Sequence, residues 1–217
     1  MNDTAAVVHL VDNDPRVLKS VARLLASVGI ETRASTSTDE FLAHYDADVP
    51  GCVVLDLAMP GRTGLDLQRS LQDRHVDVPI VFLTGCADVP TSVRAMKAGA
   101  LDFLVKPVDG DALIAAVRDG IAVDRRQRER IDADRALHER LSTLTPREHE
   151  LLPHLISGKL NKQIAADLGV VEKTVKVHRA HVMQKLGVRR LADLVRLASR
   201  ASIEPSDAPR PIGPTAN

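Results

Sequence analysis

Val7-Val8-His9-Leu10-Val11-Asp12-Asn13-Asp14-Pro15, residues 7–15, decides how the front of this chain is read. A five-residue apolar run stops at three polar residues, and a proline follows. The run has the length of a buried strand. Asp14 before Pro15 reads as a helix N-cap followed by an N1 proline. Val17, Val21, Leu24, Leu25 and Val28 then recur at three or four residues until Gly29 closes the helix. The same alternation repeats along the chain. Strand patterns at 30–34, 52–55 (ending at Asp56), 80–84 and 102–106 alternate with helical patterns at 38–45, 64–74, 89–98 and from Asp109. The strands are nearly continuous apolar runs, as expected where both faces of a sheet are covered. Five such units predict a doubly wound α/β domain with a five-stranded parallel sheet.

The whole chain has 217 residues, with 29 Lys+Arg against 29 Asp+Glu, so its formal charge is zero. That balance hides a polarity. Residues 1–123 carry 11 basic and 17 acidic side chains; residues 143–200 carry 11 and 5. An acidic front and a basic back predict two domains with different partners, the back one a nucleic-acid candidate. No run approaches the length of a membrane span, and no charged stretch leads into an apolar core at the N-terminus, so the cytoplasm is the expected compartment, with no membrane partner. Cys52 and Cys86 form no metal-ligand pattern and read as buried free thiols. Aromatics are 2% of the chain, which argues against a base-stacking surface for single strands.

The polar residues of the front domain fall at or just after the carboxyl ends of strands: Asp12, Asn13, Asp56, Thr84 and Lys106. Ligands of open α/β sheets bind outside those ends. Taken singly, each has a plain reading as a turn residue, a strand cap or a surface charge. Together they place carboxylates, a hydroxyl and an ammonium around one pocket. Carboxylates suit a hard dication such as Mg²⁺, an ammonium and a hydroxyl suit phosphoryl oxygens, and one carboxylate can act as nucleophile to form an acyl phosphate.

Val11-Asp12-Asn13-Asp14, Leu55-Asp56-Leu57-Ala58-Met59-Pro60-Gly61, Leu83-Thr84-Gly85 and Lys106-Pro107 together resemble the receiver domain of bacterial two-component response regulators, over residues 6–120. The resemblance implies that Asp56 is the phosphoacceptor, charged by a sensor histidine kinase. It implies that Asp12, Asp56 and the Ala58 carbonyl hold Mg²⁺, with Asn13 beside them. It further implies that Lys106 bonds the phosphoryl group across a cis Lys106–Pro107 bond, and that Thr84 and Phe103 are the switch. Asn13 departs from the family, which usually carries an acid there. The site loses one negative charge, so Mg²⁺ binding is expected to be weaker, with Asp14 the acid that could compensate if its cap role allows.

From Asp109 the helical pattern continues through a charge-rich stretch, 124–142, with no Pro or Gly after residue 120 until Pro146. A flexible linker would be richer in Gly and Ser. A long helix, exposed in its middle, is expected; its apolar positions do not sustain heptads.

Behind it, Thr145 caps a helix with Pro146 at N1 and Glu148 three residues on, the pattern of a capping box. That helix should stop at Gly158, and Pro153 inside it should kink or break it. Asn161 is read as the cap of a second helix over 162–168, with Ile164, Ala165 and Leu168 inward, and Gly169 as the turn. A third helix spans 171–186, with Val175, His178, Val182 and Leu186 on one face. A fourth spans 190–200, with Leu191, Leu194, Val195 and Ala198 inward. The result is a small four-helix domain over 143–200, followed by a Pro- and Ala-rich tail at 201–217 read as disordered. The third helix carries Lys173, Lys176, Arg179, His181 and Lys185, largely off its apolar face. A helix fits the major groove, where such side chains reach phosphates and guanine edges. The plain alternative is a solvated basic face.

Leu144-Thr145-Pro146-Arg147-Glu148, Asn161-Lys162-Gln163-Ile164-Ala165, Leu168-Gly169 and Thr174-Val175-Lys176-Val177-His178-Arg179 resemble the LuxR-type helix-turn-helix. With the receiver, residues 6–200 resemble the NarL/FixJ class of response regulators, the FixJ branch above all. The resemblance implies that Thr174, Lys176, Val177 and Arg179 face bases or nearby phosphates, with Lys173 on the same helix, and that Asn161, Lys162 and Lys185 sit nearer the DNA backbone. Where relatives commonly have Ser before the third helix, this chain has Val171, so an N-cap bond is missing. The implied function is a phosphorylation-activated, DNA-binding transcriptional regulator rather than an enzyme, since no separate general base or substrate loop is visible. Its implied partners are a histidine kinase, double-stranded promoter DNA, a second copy of itself and RNA polymerase. The alternative is a phosphate-independent DNA-binding regulator with a pseudo-receiver.

Overall fold

The structure, a computed structural model, describes residues 5–85 and 89–206. Five strands form one parallel sheet: β1 (Val7–Val11), β2 (Glu31–Ser35), β3 (Gly51–Asp56), β4 (Ile80–Thr84) and β5 (Asp102–Val105), in spatial order β2-β1-β3-β4-β5. Between them run α1 (Pro15–Ser27), α2 (Thr38–His44), α3 (Gly64–Asp73) and α4 (Val89–Lys97). Every residue of β1, β3 and β4 is buried, whereas the edge strand β2 is mostly open to water. That difference is why the first, third and fourth strands read as mostly apolar runs and the second reads weakly.

The pleat sends alternate side chains to opposite faces. Val8, Leu10, Cys52 and Val54 pack with Leu18, Val21 and Leu25 of α1. Val53, Leu55 and Phe82 pack on the other side with Phe41 of α2 and Leu67 and Leu71 of α3. Asp14 caps α1 as expected, accepting from the Arg16 amide at 2.9 Å. Cys52 is buried, as its sequence context suggested, and burial pushes its thiol up to about 12. Cys86 lies outside the described residues.

The fifth helix, α5 (Gly110–Ser142), is continuous over 33 residues. The chain divides inside it into two units, Met1–Arg128 and Glu129–Asn217. The stretch 124–142, expected as a spacer, is therefore shared. In the first unit the buried Asp124 carboxylate accepts from the Gly51 amide at 2.9 Å and from Arg128 Nε at 2.7 Å. Arg128 Nη2 in turn donates to the Ala47 carbonyl at 2.7 Å and the Val49 carbonyl at 3.1 Å. These bonds root α5 at the start of β3. In the second unit Leu137 and Leu141 of the same helix enter a helical core.

That core is built by α6 (Pro146–Ile156), α7 (Asn161–Leu168), α8 (Glu172–Lys185) and α9 (Leu191–Arg200). Leu151, Leu155, Ile164, Val175, Val182, Leu186 and Leu194 fill its centre. Four expectations need correction. Pro153 does not break α6; the carbonyl it leaves without a helical donor belongs to His149, which is exposed, so water can take the bond. Asn161 is not the cap of α7 but its first residue: the cap position is Leu160, whose amide donates to Gln163 Oε1 at 2.8 Å. Val195, expected inward, is 40% exposed. The tail does not become irregularly placed at 201, because Ile203 packs on the core and the Ser206 amide donates to the Pro153 carbonyl at 3.0 Å. Residues 207–217 of that tail lie outside the described residues.

Candidate functional site

In a sheet of this strand order the chain reverses its direction of winding between β1 and β3, and a crevice opens there beyond the strand ends. The register Leu10↔Val54 and Val11↔Leu55 sets Asp12 and Asp56 side by side at that point. Both are 5% exposed. Lys106, one residue past β5, reaches across: its Nζ lies 2.6 Å from Asp12 Oδ2 and 2.9 Å from Asp56 Oδ1. Burial works against the ammonium, but the bonds to Asp12 and Asp56 outweigh it and raise the Lys106 pKa. The Lys106 amide donates to the Thr84 carbonyl at 2.7 Å, which ties this loop to the end of β4, and the Lys106–Pro107 bond is cis, as expected.

Two carboxylates thus face one ammonium, leaving a net negative charge at the rim of the sheet. Such an oxygen-rich, anionic pocket fits a hard dication. Asn13 is exposed beside it and offers only a neutral amide oxygen. Asp14, the acid that could compensate, is bonded to Arg16 in this structure. Its Oδ1 accepts from the Arg16 amide and, at 3.1 Å, from Arg16 Nε, while Oδ2 accepts from Arg16 Nη2 at 2.9 Å. Those bonds hold its carboxyl down at about 2 and turn it toward the start of α1. Ala58 lies two residues past Asp56 on the exposed loop. Thr84 is fully buried at the end of β4. Phe103 pairs in register with Phe82, their ring centroids 6.3 Å apart.

One residue of this site was not singled out from sequence. Gly64, which opens α3, passes so close to the strand end that a Cβ there would run into the Asp56 carbonyl and the Phe82 ring. Its amide donates to the Leu57 carbonyl at 3.1 Å, closing the loop that carries Ala58. A glycine opening a helix is the signal that could have marked it.

In the second unit α7 and α8 are joined through Gly169, whose φ of 65° is in the left-handed region that favours glycine. Along α8, Lys173, Lys176 and Val177 are exposed, and Val177 is an apolar side chain 46% in water. Lys176 pairs with Glu172 at 3.0 Å. Arg179 Nη1 donates to Asn161 Oδ1 at 3.3 Å, so two residues expected at the duplex are joined to each other. Lys162 is exposed and Thr174 half-buried. Lys185 is different. Its Nζ lies 2.6 Å from Glu148 Oε2 and 3.0 Å from the Thr143 carbonyl, so in this structure its ammonium is bonded inside the unit.

Glu148 is the second residue not singled out beyond its cap role. The capping box forms as the sequence suggested, with the Glu148 amide bonded to Thr145 Oγ1 at 3.3 Å and the Thr145 amide to Glu148 Oε2 at 2.8 Å. The carboxylate is also 2% exposed. Burial would raise its pKa, but the bonds from Lys185 and from Thr145 bring it down to about 2. At the head of α8 the cap position is Val171, with no side-chain bond, as expected.

Comparison with known proteins agrees with this division. A family model for the response regulator receiver domain matches residues 8–118. A second model, for bacterial regulatory proteins of the LuxR family, matches residues 142–198. The chain is a response regulator of the FixJ branch. It is 42% identical over 203 residues to Nodulation protein W of Bradyrhizobium diazoefficiens, covering 92% of this chain and 88% of that protein. It is 42% identical over 207 residues to the transcriptional regulatory protein FixJ of Azorhizobium caulinodans, covering 94% and 97%. Among solved structures, that of the response regulator StyR matches with a TM-score of 0.83 at 42% identity, over 90% of this chain and 99% of StyR. Full-length FixJ from B. japonicum matches at 34% identity with a TM-score of 0.56, over 92% and 98%. The regulator is thus a receiver domain followed by a LuxR-type DNA-binding domain, in a family of transcriptional regulators to which a histidine kinase and DNA are the implied partners. No helix among the described residues is long and apolar enough to cross a membrane.

Proposed function

We propose that Asp56 is the phosphoacceptor of this regulator and that its phosphorylation gates DNA binding by α8. The observation that carries this is the placement of Lys106 Nζ within 2.9 Å of two buried carboxylates that outnumber it in charge. A carboxylate oxygen of Asp56 attacks the phosphorus of a kinase phosphohistidine. The O–P bond forms, the P–N bond breaks, and the imidazole leaves as the base. Asp12, Asp56, the Ala58 carbonyl and the Asn13 side-chain oxygen would hold Mg²⁺, which would supply neutralisation of phosphoryl charge. Lys106 then exchanges its bond to Asp56 for one to the phosphoryl group, and the Thr84 hydroxyl bonds the same group. Movement of Thr84 draws Phe103 inward, and the repacked face pairs two receivers.

Pairing presents two helix-turn-helix units to two promoter half-sites, which raises affinity without new base contacts. Thr174, Lys176, Val177 and Arg179 read bases or nearby phosphates, while Lys173, Lys162, Asn161 and Lys185 serve the backbone. Contact with RNA polymerase follows at the promoter, in the cytoplasm. The test is labelling by acetyl phosphate with Mg²⁺, followed by operator binding. Wild type is expected to take up one phosphoryl group and bind more tightly; Asp56→Asn is expected to do neither. Tight binding by Asp56→Asn equal to that of the phosphorylated form would favour the phosphate-independent alternative.

A further inference from the structure

We propose that Glu148, His178 and His181 form a binding site for a transition-metal dication of the zinc type within the second unit. His178 and His181, three residues apart on α8, lie on one side of that helix. Glu148 of α6 faces them, and one donor atom from each of the three lies within 4.8 Å of the others. Two imidazoles and one carboxylate are a zinc donor set that leaves a fourth, open position for water. With bonds of about 2.0–2.1 Å, tetrahedral donors stand roughly 3.3 Å apart. Glu148 Oε1 and His181 Nδ1 are already 3.7 Å apart. His181 is 53% exposed, so its ring is free to turn and close the remaining gap.

Two further observations point to a cation rather than to a chance meeting of side chains. The Glu148 oxygens divide their duties. Oε2 takes the Thr145 amide and the Lys185 ammonium, while Oε1 is the oxygen turned to His181. A metal on Oε1 therefore leaves the cap and the ion pair intact. His178 Nδ1, moreover, is buried with no hydrogen-bond partner. Buried ring nitrogens are rarely left so, and His178 is a member of this cluster. Thr174, His178, His181 and Lys185 occupy the flank of α8, apart from the exposed Lys173, Lys176 and Val177. A bound ion would pin the middle of α8 to the first turn of α6. The ammonium of Lys185 stands close by and opposes a second positive charge, so the affinity is expected in the micromolar range.

The experiment is a calorimetric titration of the full chain with Zn²⁺ in excess Mg²⁺, which occupies the carboxylates at the strand ends. Wild type is expected to bind one Zn²⁺ per chain and to melt at a higher temperature with zinc than without. His181→Ala should weaken zinc binding by at least about tenfold while leaving the zinc-free melt unchanged. His181→Gln, which keeps a polar side chain, should show the same loss, so a folding defect cannot pass for the loss of a ligand. Absence of saturable binding by the wild type, or zinc affinity in both His181 variants equal to that of the wild type, would overturn the proposal.

Discussion

Each unit of this regulator buries carboxylate against lysine, and the two arrangements are built differently. In the receiver, Asp12 and Asp56 share Lys106, so two negative charges meet one positive charge. In the DNA-binding unit, Glu148 has Lys185 to itself and takes the Thr145 amide as well. The second arrangement is balanced and serves the fold: it joins the first turn of α6 to the last turn of α8. The first is left anionic at an open sheet edge, where a dication and then a phosphoryl group can complete it. A buried ion pair by itself says little about function; the uncompensated charge and the place in the fold are what separate these two.

The comparison breaks most readily at Glu148. Glu148→Ala would strand the Lys185 ammonium and open the capping box. It is expected to cost about 3 kcal/mol, the low end for breaking a buried pair, because Lys185 keeps 32% of its side chain exposed. Urea denaturation followed by a probe in the second unit measures this; a loss under 1 kcal/mol would make the pair no more than an exposed one. Its pH dependence has a defined sign. The folded carboxyl sits at about 2 against an ordinary 4.5. Its contribution is therefore full above pH ~4.5 and falls away as the pH drops toward 2. The stability gap between wild type and Glu148→Gln should narrow over that window and stay constant above it.

At the receiver, Asn13→Asp adds a carboxylate to a pocket already short of positive charge. Mg²⁺ affinity should rise by roughly threefold to tenfold, as one more nearby charge warrants at high effective dielectric. Titration of the two proteins side by side reads it, and equal affinities would mean that position 13 does not reach the ion. The smallest effect is at the head of α8. Thr145 and Glu148 close a capping box on α6, whereas Val171 leaves α8 uncapped. Val171→Ser is expected to stabilise the second unit by about 1 kcal/mol, visible as a higher melting temperature; an unchanged melt would show that water already satisfies that first turn.

The receiver pocket was legible because parallel strands set their carboxyl ends at one edge. Residues after apolar runs, such as Asp12, Asp56, Thr84 and Lys106, could be grouped without coordinates. Local caps at Asp14 and Thr145 were legible for the same reason, since their bonds span two or three residues. Where a bond reaches far along the chain, nothing local announces it. Lys185 looked like one more cation of a basic helix, and nothing local shows that its partner lies 37 residues earlier. Asp124 looked like part of a charged spacer, yet it holds the Gly51 amide 73 residues away. Pro153 looked like a helix breaker, yet α6 runs through it to Ile156 with residue His149 exposed.

Sequence alone was enough for the alternation of strand and helix, the division between an acidic α/β front and a basic helical back, and the set of groups at the sheet edge. All of these follow from periodicity, charge and chain order, which are local or additive. Only the tertiary structure decided which charges are spent inside the fold and which remain available. It turned Asp14 toward Arg16, Lys185 toward Glu148 and Asn161 toward Arg179. It left Asp12 and Asp56 with half the positive charge they could use. The availability of a charge depends on distances of a few ångströms between segments far apart in the chain, and those distances exist only once the core has packed.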